Sequence, residues 1–324
     1  RNTGRIRRML GRTAASAVLA FLALHSVVAT AQVSDVPLAI STGAAGNIVF
    51  ILDDSGSMGW EYMPNSISGD YEEEFYFSHR VNKVWFNPNV EYNPPIARDG
   101  NGRLPNADYT DAWDDGYDQS GDVDLSEELP HRGPDFTDFG PSPGNASDGA
   151  FYFEYDDSNA NCSGNDQDND CYNLVEVNEI TTVGNKRARV QQNFANWFSY
   201  YRTRQFAARA GIAEAFEVLD DGIRVGWGAI NANNTGSVVD DTLIQGVRPF
   251  DATGSENFRD WLYNRPASGG TPLRGSLDDI GRYYQNDTDD GPWSDDPLNG
   301  TSDNPHETCR QSFSVMMTDG FWNG

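Results

Sequence analysis

Histidine and cysteine are scarce in this chain. Of 324 residues only four are His and three are Cys. No Cys-x-x-Cys pair and no Cys/His cluster occurs, so zinc chemistry has little to work with. Positive charge is also short: 23 Lys and Arg stand against 49 Asp and Glu, a formal net charge of -26. Such a field repels polyanions, which disfavours nucleic acid and anionic membrane surfaces as partners. It favours divalent cations. The one pronounced apolar stretch near the start, Ala14–Val28, is short for a membrane span. No Lys follows the glycines of Gly43–Gly46, so that stretch is no phosphate loop. No His is placed by motif near Ser55 or Ser57 to act as the base that a serine nucleophile needs. Aromatics, by contrast, are plentiful, with 17 Phe, 14 Tyr and 8 Trp, and they argue against a wholly disordered chain. A mean hydropathy of -0.61 signals that much surface or loop accompanies the core.

Arg1, Arg5, Arg7, Arg8 and Arg12 precede the apolar Ala14–Val28, and Ala29-Thr30-Ala31 follows. This is the pattern of a secretory signal covering 1–31, cleaved before Gln32. An uncleaved anchor is the rival reading. Residues 32–45 read as a linker. The first residue is not Met, so the natural start is expected further upstream. Exported proteins retain disulfides. Cys162 and Cys171 lie nine apart in one loop-like stretch, where a local bridge can form. Cys309 is then free or paired beyond residue 324. Three unpaired thiols is the alternative, which export disfavours.

Asn47 to Leu52 is a continuous apolar run, suited to a strand buried on both faces of a parallel sheet. It ends in the polar turn Asp53-Asp54-Ser55-Gly56-Ser57-Met58. Residues 60–188 change character and are rich in Asp, Asn, Gly, Pro and Tyr. Between 99 and 170 the acidic residues face only two basic ones, Arg103 and Arg132. The stretch reads as one long loop-rich insertion with aromatic anchors such as Trp85, Tyr92, Trp113 and Tyr152, pointing to function or to disorder. From Phe194 to Leu219 apolar residues recur at three- and four-residue steps. They predict one amphipathic helix of six or seven turns, with Arg202, Arg204 and Arg209 among its polar positions. Ile223, Val225, Trp227 and Ala229 alternate along a strand, and 240–250 reads as a second, more exposed one. Ser255–Asn264 is a short helix with Ser255 and Glu256 near its amino end. Gly269-Gly270-Thr271-Pro272 is a tight turn, and helical spacing resumes from Leu273 to Tyr284. Residues 286–308 form a smaller acidic insertion, and Ser312–Met317 a last strand that ends in Thr318-Asp319-Gly320. This alternation argues for an α/β fold with a parallel sheet flanked by helices. The crossover rule then brings Asp53, Thr271 and Asp319 to one edge.

Asp53, Ser55 and Ser57 place three oxygen side chains at alternate positions of one turn, to which Thr271 adds a hydroxyl and Asp319 a carboxylate. All are hard donors, and the set suits Mg²⁺, Mn²⁺ or Ca²⁺. Hydroxyl ligands leave the ion less neutralised than a carboxylate cage does, so it keeps an affinity for an acidic group from a partner. These three segments, in this order and context, resemble the metal-ion-dependent adhesion site of von Willebrand factor A domains. The carry-over makes Ser55, Ser57 and Thr271 direct ligands, and Asp53 and Asp319 ligands directly or through water. Asp54 reads as a solvated turn carboxylate.

Finer features narrow the likeness. Phe50–Met58, Tyr92-Asn-Pro-Pro95, Asn196–Arg204, Gly222–Gly226, Cys309–Phe313 and Met317–Asn323 resemble the amino-terminal region of the PilC/PilY family of type IV pilus assembly and tip-associated adhesins. That resemblance implies a von Willebrand factor A-like, Rossmann-type domain over 46–324, carboxyl-terminally truncated and interrupted by the 60–188 and 286–308 insertions. It also implies an exported protein at the pilus tip or outer-membrane surface of a Gram-negative bacterium, not membrane-spanning after signal cleavage. Minor pilins, or a receptor that offers a carboxylate, are the implied partners. The family's β-propeller, with its own calcium site, has no counterpart in these residues. Two other readings compete: a structural or mechanosensing domain with an idle metal site, and a secreted metal-dependent hydrolase. The hydrolase lacks a second metal and a positioned base. Asp166, Asp168 and Asp170 could chelate Ca²⁺, but without the Gly and distant Glu of a calcium loop they read as a solvated acidic loop.

Overall fold

The computed structural model describes residues 44–131, 146, 148–181, 185–219, 222–232, 242–295, 297 and 305–320. The expected signal segment and nearly all of the 32–45 linker lie outside the described residues. Strand β1 (Gly46–Leu52) is the apolar run read from the sequence. Successive side chains of a strand point to opposite faces, and both faces of β1 are covered. Phe50 and Leu52 cluster with Phe206, Ile212 and Phe258. Val49 and Ile51 cluster with Val247, Ile280 and Tyr283. Each such side chain contributes roughly 1.5–3 kcal/mol when fully buried.

The fold otherwise comprises a hairpin, β2 (Phe151–Tyr155) with β3 (Tyr172–Glu176), and the strands β4 (Ile223–Ala229), β5 (Leu243–Pro249) and β6 (Ser312–Met317). The main sheet has the order β5-β4-β1-β6. Strand β1 is parallel to both β4 and β6, in a register that sets Leu52 beside Ala229 on one side and Met317 on the other. The carboxyl ends of three strands therefore finish at one level. The sheet is mostly parallel, as expected, and only its edge strand β5 runs antiparallel, to β4. The link between them has no helical pattern in its sequence, so the chain returns alongside instead of crossing over.

Helices are α1 (Lys186–Tyr200), α2 (Arg204–Glu217), α3 (Ala252–Tyr263) and α4 (Leu273–Tyr283). The single long helix expected over 194–219 is two. Thr203 caps α2 by accepting from the Phe206 N–H at 3.0 Å, and such a cap starts a new helix. The apolar steps continue across the break because each helix has its own core to fill. Phe194, Trp197 and Phe198 enter the insertion's core, whereas Phe206, Ala208 and Ile212 face the sheet. Helix α3 starts at Ala252, earlier than the expected Ser255, because Asp251 accepts from the Gly254 N–H at 2.8 Å.

The larger correction concerns the arginines. Arg202, Arg204 and Arg209 read as polar surface positions, yet all three are buried. The insertion lies over them. That insertion is built on its own aromatic core and is not open loop. Trp85 stacks edge-on against Phe77 at 5.0 Å and Trp197 at 5.1 Å, and Phe86 meets Phe194 at 4.8 Å. Trp85 and Tyr152 are buried anchors, with Tyr92 and Trp113 partly buried against the same cluster. Cys162 and Cys171 form the local disulfide, and Cys309 is free and exposed. Among the described residues no helix is long and apolar enough to cross a membrane.

If this aromatic core holds the insertion against α1, Trp85→Ala should cost about 3–5 kcal/mol, the usual penalty for truncating a buried Trp. Urea unfolding measures it. A loss below about 1 kcal/mol would mean that Trp85 is not packed as described.

Candidate metal centre

The β1 ladder continues into the turn that follows it. The Asp53 N–H donates to the Met317 carbonyl at 2.8 Å, and the Ile230 N–H donates to the Leu52 carbonyl at 3.0 Å. These bonds fix where β1 ends and place Asp53, fully buried, between the ends of β4 and β6. One oxygen of Asp53 accepts from the Ser55 N–H at 2.9 Å and from the Ser55 hydroxyl at 2.6 Å. Its other oxygen accepts from the Thr318 hydroxyl at 2.7 Å. Ser55 Oγ and Ser57 Oγ lie 3.2 Å apart. Asp53, Ser55 and Ser57 thus share one turn, as their spacing predicts, and Thr318 draws the end of β6 onto it.

Thr271 is buried in the turn that leads into α4. Two backbone bonds dock this turn on the first: Gly56 N–H to the Gly269 carbonyl at 3.1 Å, and Ser268 N–H to the Asp54 carbonyl at 2.6 Å. Gly269 sits at φ +88°, where a Cβ would also meet the Asn231 amide oxygen at 2.8 Å, so glycine is required. Asn231 completes the junction by donating to the Gly270 carbonyl at 2.7 Å.

Asp319 follows Thr318, and its side chain is 5% exposed. Its carboxylate accepts from Arg204 at 2.6 Å. Asp54 overturns its reading as a solvated carboxylate. It is fully buried, paired with Arg265 at 2.6 Å, and accepts from the Asn231 N–H at 2.9 Å. Three buried carboxylates therefore meet at this edge. Arg265 balances Asp54 and Arg204 balances Asp319, while among the described residues no basic side chain pairs with Asp53. Sequence reasoning missed Thr318, Arg204 and Arg265. Thr318 was readable as the neighbour of Asp319, but the arginines carried no local signal because they arrive from distant helices and loops.

The donor chemistry fits a hard divalent cation. A buried carboxylate without a cationic partner is costly, and hydroxyls gather around it. Among the described residues no group of three or more His, Cys, Asp or Glu could hold a metal. The present set is of another kind, two carboxylates and three hydroxyls. The alternative calcium loop does not gather a site: Asp166 pairs with Arg80 at 3.0 Å, and Asp168 accepts from the N–H groups of Ser163 and Asp170. Nearby, a cavity of about 260 Å³ opens beside Gly59, lined by Glu61, Asp114, Asp115 and Arg202 among others. Burial pushes the Asp115 carboxyl up, and Arg209 opposes the shift.

This is an α/β protein whose oxygen-rich turn stands at the carboxyl edge of a mostly parallel sheet, the usual place for a ligand in such folds. Comparison with known proteins gives it a more particular place. It is 33% identical over 336 residues to the type IV pilus biogenesis factor PilY1 of Pseudomonas aeruginosa strain PAK, covering 97% of this chain and 27% of that protein. It is 32% identical over 329 residues to PilY1 of strain PAO1, covering 97% and 27%. To PilY1 of strain UCBPP-PA14 it is 35% identical over 326 residues, covering 96% and 26%. Over nearly all of its own length the chain is similar to PilY1, and it spans about a quarter of the length of the relatives it matches. No protein-family model and no solved structure matches it.

Replacing Arg265 by Gln should leave Asp54 buried without its cation. The expected cost is about 3–5 kcal/mol, read as a lowered thermal midpoint, whereas Arg282→Gln, removing an exposed i,i+4 pair, should cost under about 1 kcal/mol. Equal effects of the two substitutions would contradict the assignment of Asp54 as a buried anchor.

Proposed function

We propose that this chain is a metal-dependent binding domain of a type IV pilus factor, acting in pilus biogenesis and adhesion. The observation that carries the reading is Asp53: buried, bonded by hydroxyls, and without a basic partner among the described residues, at an edge where both neighbouring carboxylates have one. Support also comes from the relatives, which are named type IV pilus biogenesis factors. In this reading residues 46–324 belong to a von Willebrand factor A-like domain, and 60–188 is an elaboration of it.

Ser55, Ser57 and Thr271 would hold Mg²⁺, Mn²⁺ or Ca²⁺ through their hydroxyls, and Asp53 and Asp319 would hold it directly or through water. The bound ion would supply a Lewis acid for a carboxylate brought by a partner. The chain's own part is to bring two docked turns and a strand end together around the buried Asp53. Minor pilins, or a surface receptor offering an acidic side chain, fit that chemistry. The strongly acidic composition makes a bare acidic partner unfavourable without such an ion. Export and a place at the pilus tip or outer-membrane surface follow from the same reading. Binding, not turnover, is the activity we assign: the Ser55 hydroxyl is engaged by Asp53 and the Ser57 hydroxyl lies against that of Ser55, an arrangement suited to holding an ion.

Calorimetric titration with Mg²⁺ and Mn²⁺ tests this. Asp53→Ala and Ser55→Ala should each weaken binding by about tenfold or more, as loss of a ligand does, with Asp319→Ala in the same direction. Unchanged affinity in all three variants would remove the site.

A further inference from the structure

Arg204 is held too firmly for a casual surface ion pair. Its side chain is 3% exposed. Nη1 donates to Asp319 at 2.6 Å, Nε to the Tyr62 carbonyl at 2.7 Å, and Nη2 to the Asn65 side chain at 2.6 Å. The guanidinium also lies 4.9 Å from the Trp60 ring centre and 5.1 Å from that of Tyr62. A fork fixed at three donors and over two rings cannot swing away cheaply. Its charge is permanent, because a guanidinium stays protonated. Asp319 is one of only two carboxylates in the candidate metal set, so a fixed positive charge sits directly on half of that set's negative charge.

We infer that Arg204 is an affinity-setting and positioning residue for the metal site: from the start of α2, pinned by the first loop of the insertion, it orients Asp319 and opposes the divalent ion electrostatically. The inference rests on the metal reading above. It gives the insertion a role at the site, since Trp60, Tyr62 and Asn65 are the residues that pin the charge in place. With Arg204 present, Asp53 and Asp319 together offer the ion a net charge near -1. Metal loading then leaves a net positive site, which is what an acidic partner requires. The price is weaker metal binding than two unopposed carboxylates would give. Coulomb repulsion between a single and a double charge a few ångströms apart outweighs the orienting benefit, even at the effective dielectric of a protein surface.

The test is Mn²⁺ titration of the whole chain by calorimetry, alongside thermal unfolding. Arg204→Gln, which keeps donors and removes the charge, should bind Mn²⁺ about tenfold more tightly than the parent while lowering the thermal midpoint without metal. Arg204→Lys, which keeps the charge, should stay within about threefold of the parent. Should Arg204→Gln fail to fold, Asn65→Asp serves: a carboxylate against Nη2 neutralises the guanidinium in place and should also tighten binding. A merely structural Arg204 would lower the midpoint and leave Mn²⁺ affinity unchanged or weaker in both charge-altering variants, and that result overturns the inference. Parent affinity retained in Asp53→Ala, or no binding by any protein, overturns the metal reading itself. Binding seen only in Arg204→Gln or Asn65→Asp supports the inference strongly.

Discussion

The whole edge is organised by the need to keep a carboxylate in a dry place. Asp53 leaves β1 at the point where β4 and β6 also end, and the sheet's packing on both faces leaves it fully buried. Burial of that kind demands hydrogen bonds and charge balance. The turn supplies the first through the Ser55 N–H, the Ser55 hydroxyl and the Thr318 hydroxyl. Charge balance comes from arginines at Asp54 and Asp319. Among the described residues no basic side chain pairs with Asp53, and in the proposed reading a divalent cation takes that place.

Arg204 and its neighbour Arg202 explain how a long acidic insertion is joined to the sheet. Arg204 links Asp319 to the loop at Tyr62 and Asn65. Arg202 joins buried Glu61 to Asp114, and the backbone at Phe198 and Asp114 closes around it. Few positive charges exist in this sequence, and two of them, Arg202 and Arg204, lie together at the start of α2 and just before it. Removing them would leave several buried carboxylates and carbonyls without donors, a far larger loss than surface ion pairs cause. The aromatic core around Trp85 and Trp197 does the rest, anchoring the insertion to α1.

Much of this was legible in the sequence, for definite reasons. A short run of β-branched and other apolar residues that stops at a polar turn suits a strand covered on both faces, and Ile48–Leu52 lies in one. Asp, Ser and Ser at alternate positions belong to one turn, and the structure keeps them there. What failed to show was everything carried by contacts distant in the chain. A periodic pattern cannot reveal a break when both halves are buried, so two helices read as one. Charge reads as surface until something covers it, so the pattern does not show that Arg202, Arg204 and Arg209 are buried, and Asp54 reads as solvated. Strand direction at β5 depended on the link from β4, which a strand pattern alone does not encode.

Locating the ion directly tests the central claim better than any affinity does. Crystals grown with Mn²⁺ and measured near the manganese absorption edge should show one strong anomalous peak enclosed by Asp53, Ser55, Ser57, Thr271 and Asp319, with ligand oxygens at about 2.0–2.4 Å, the range for hard divalent ions. No peak at that edge, or peaks confined to the acidic loops around Asp166 or Asp289, would contradict the account.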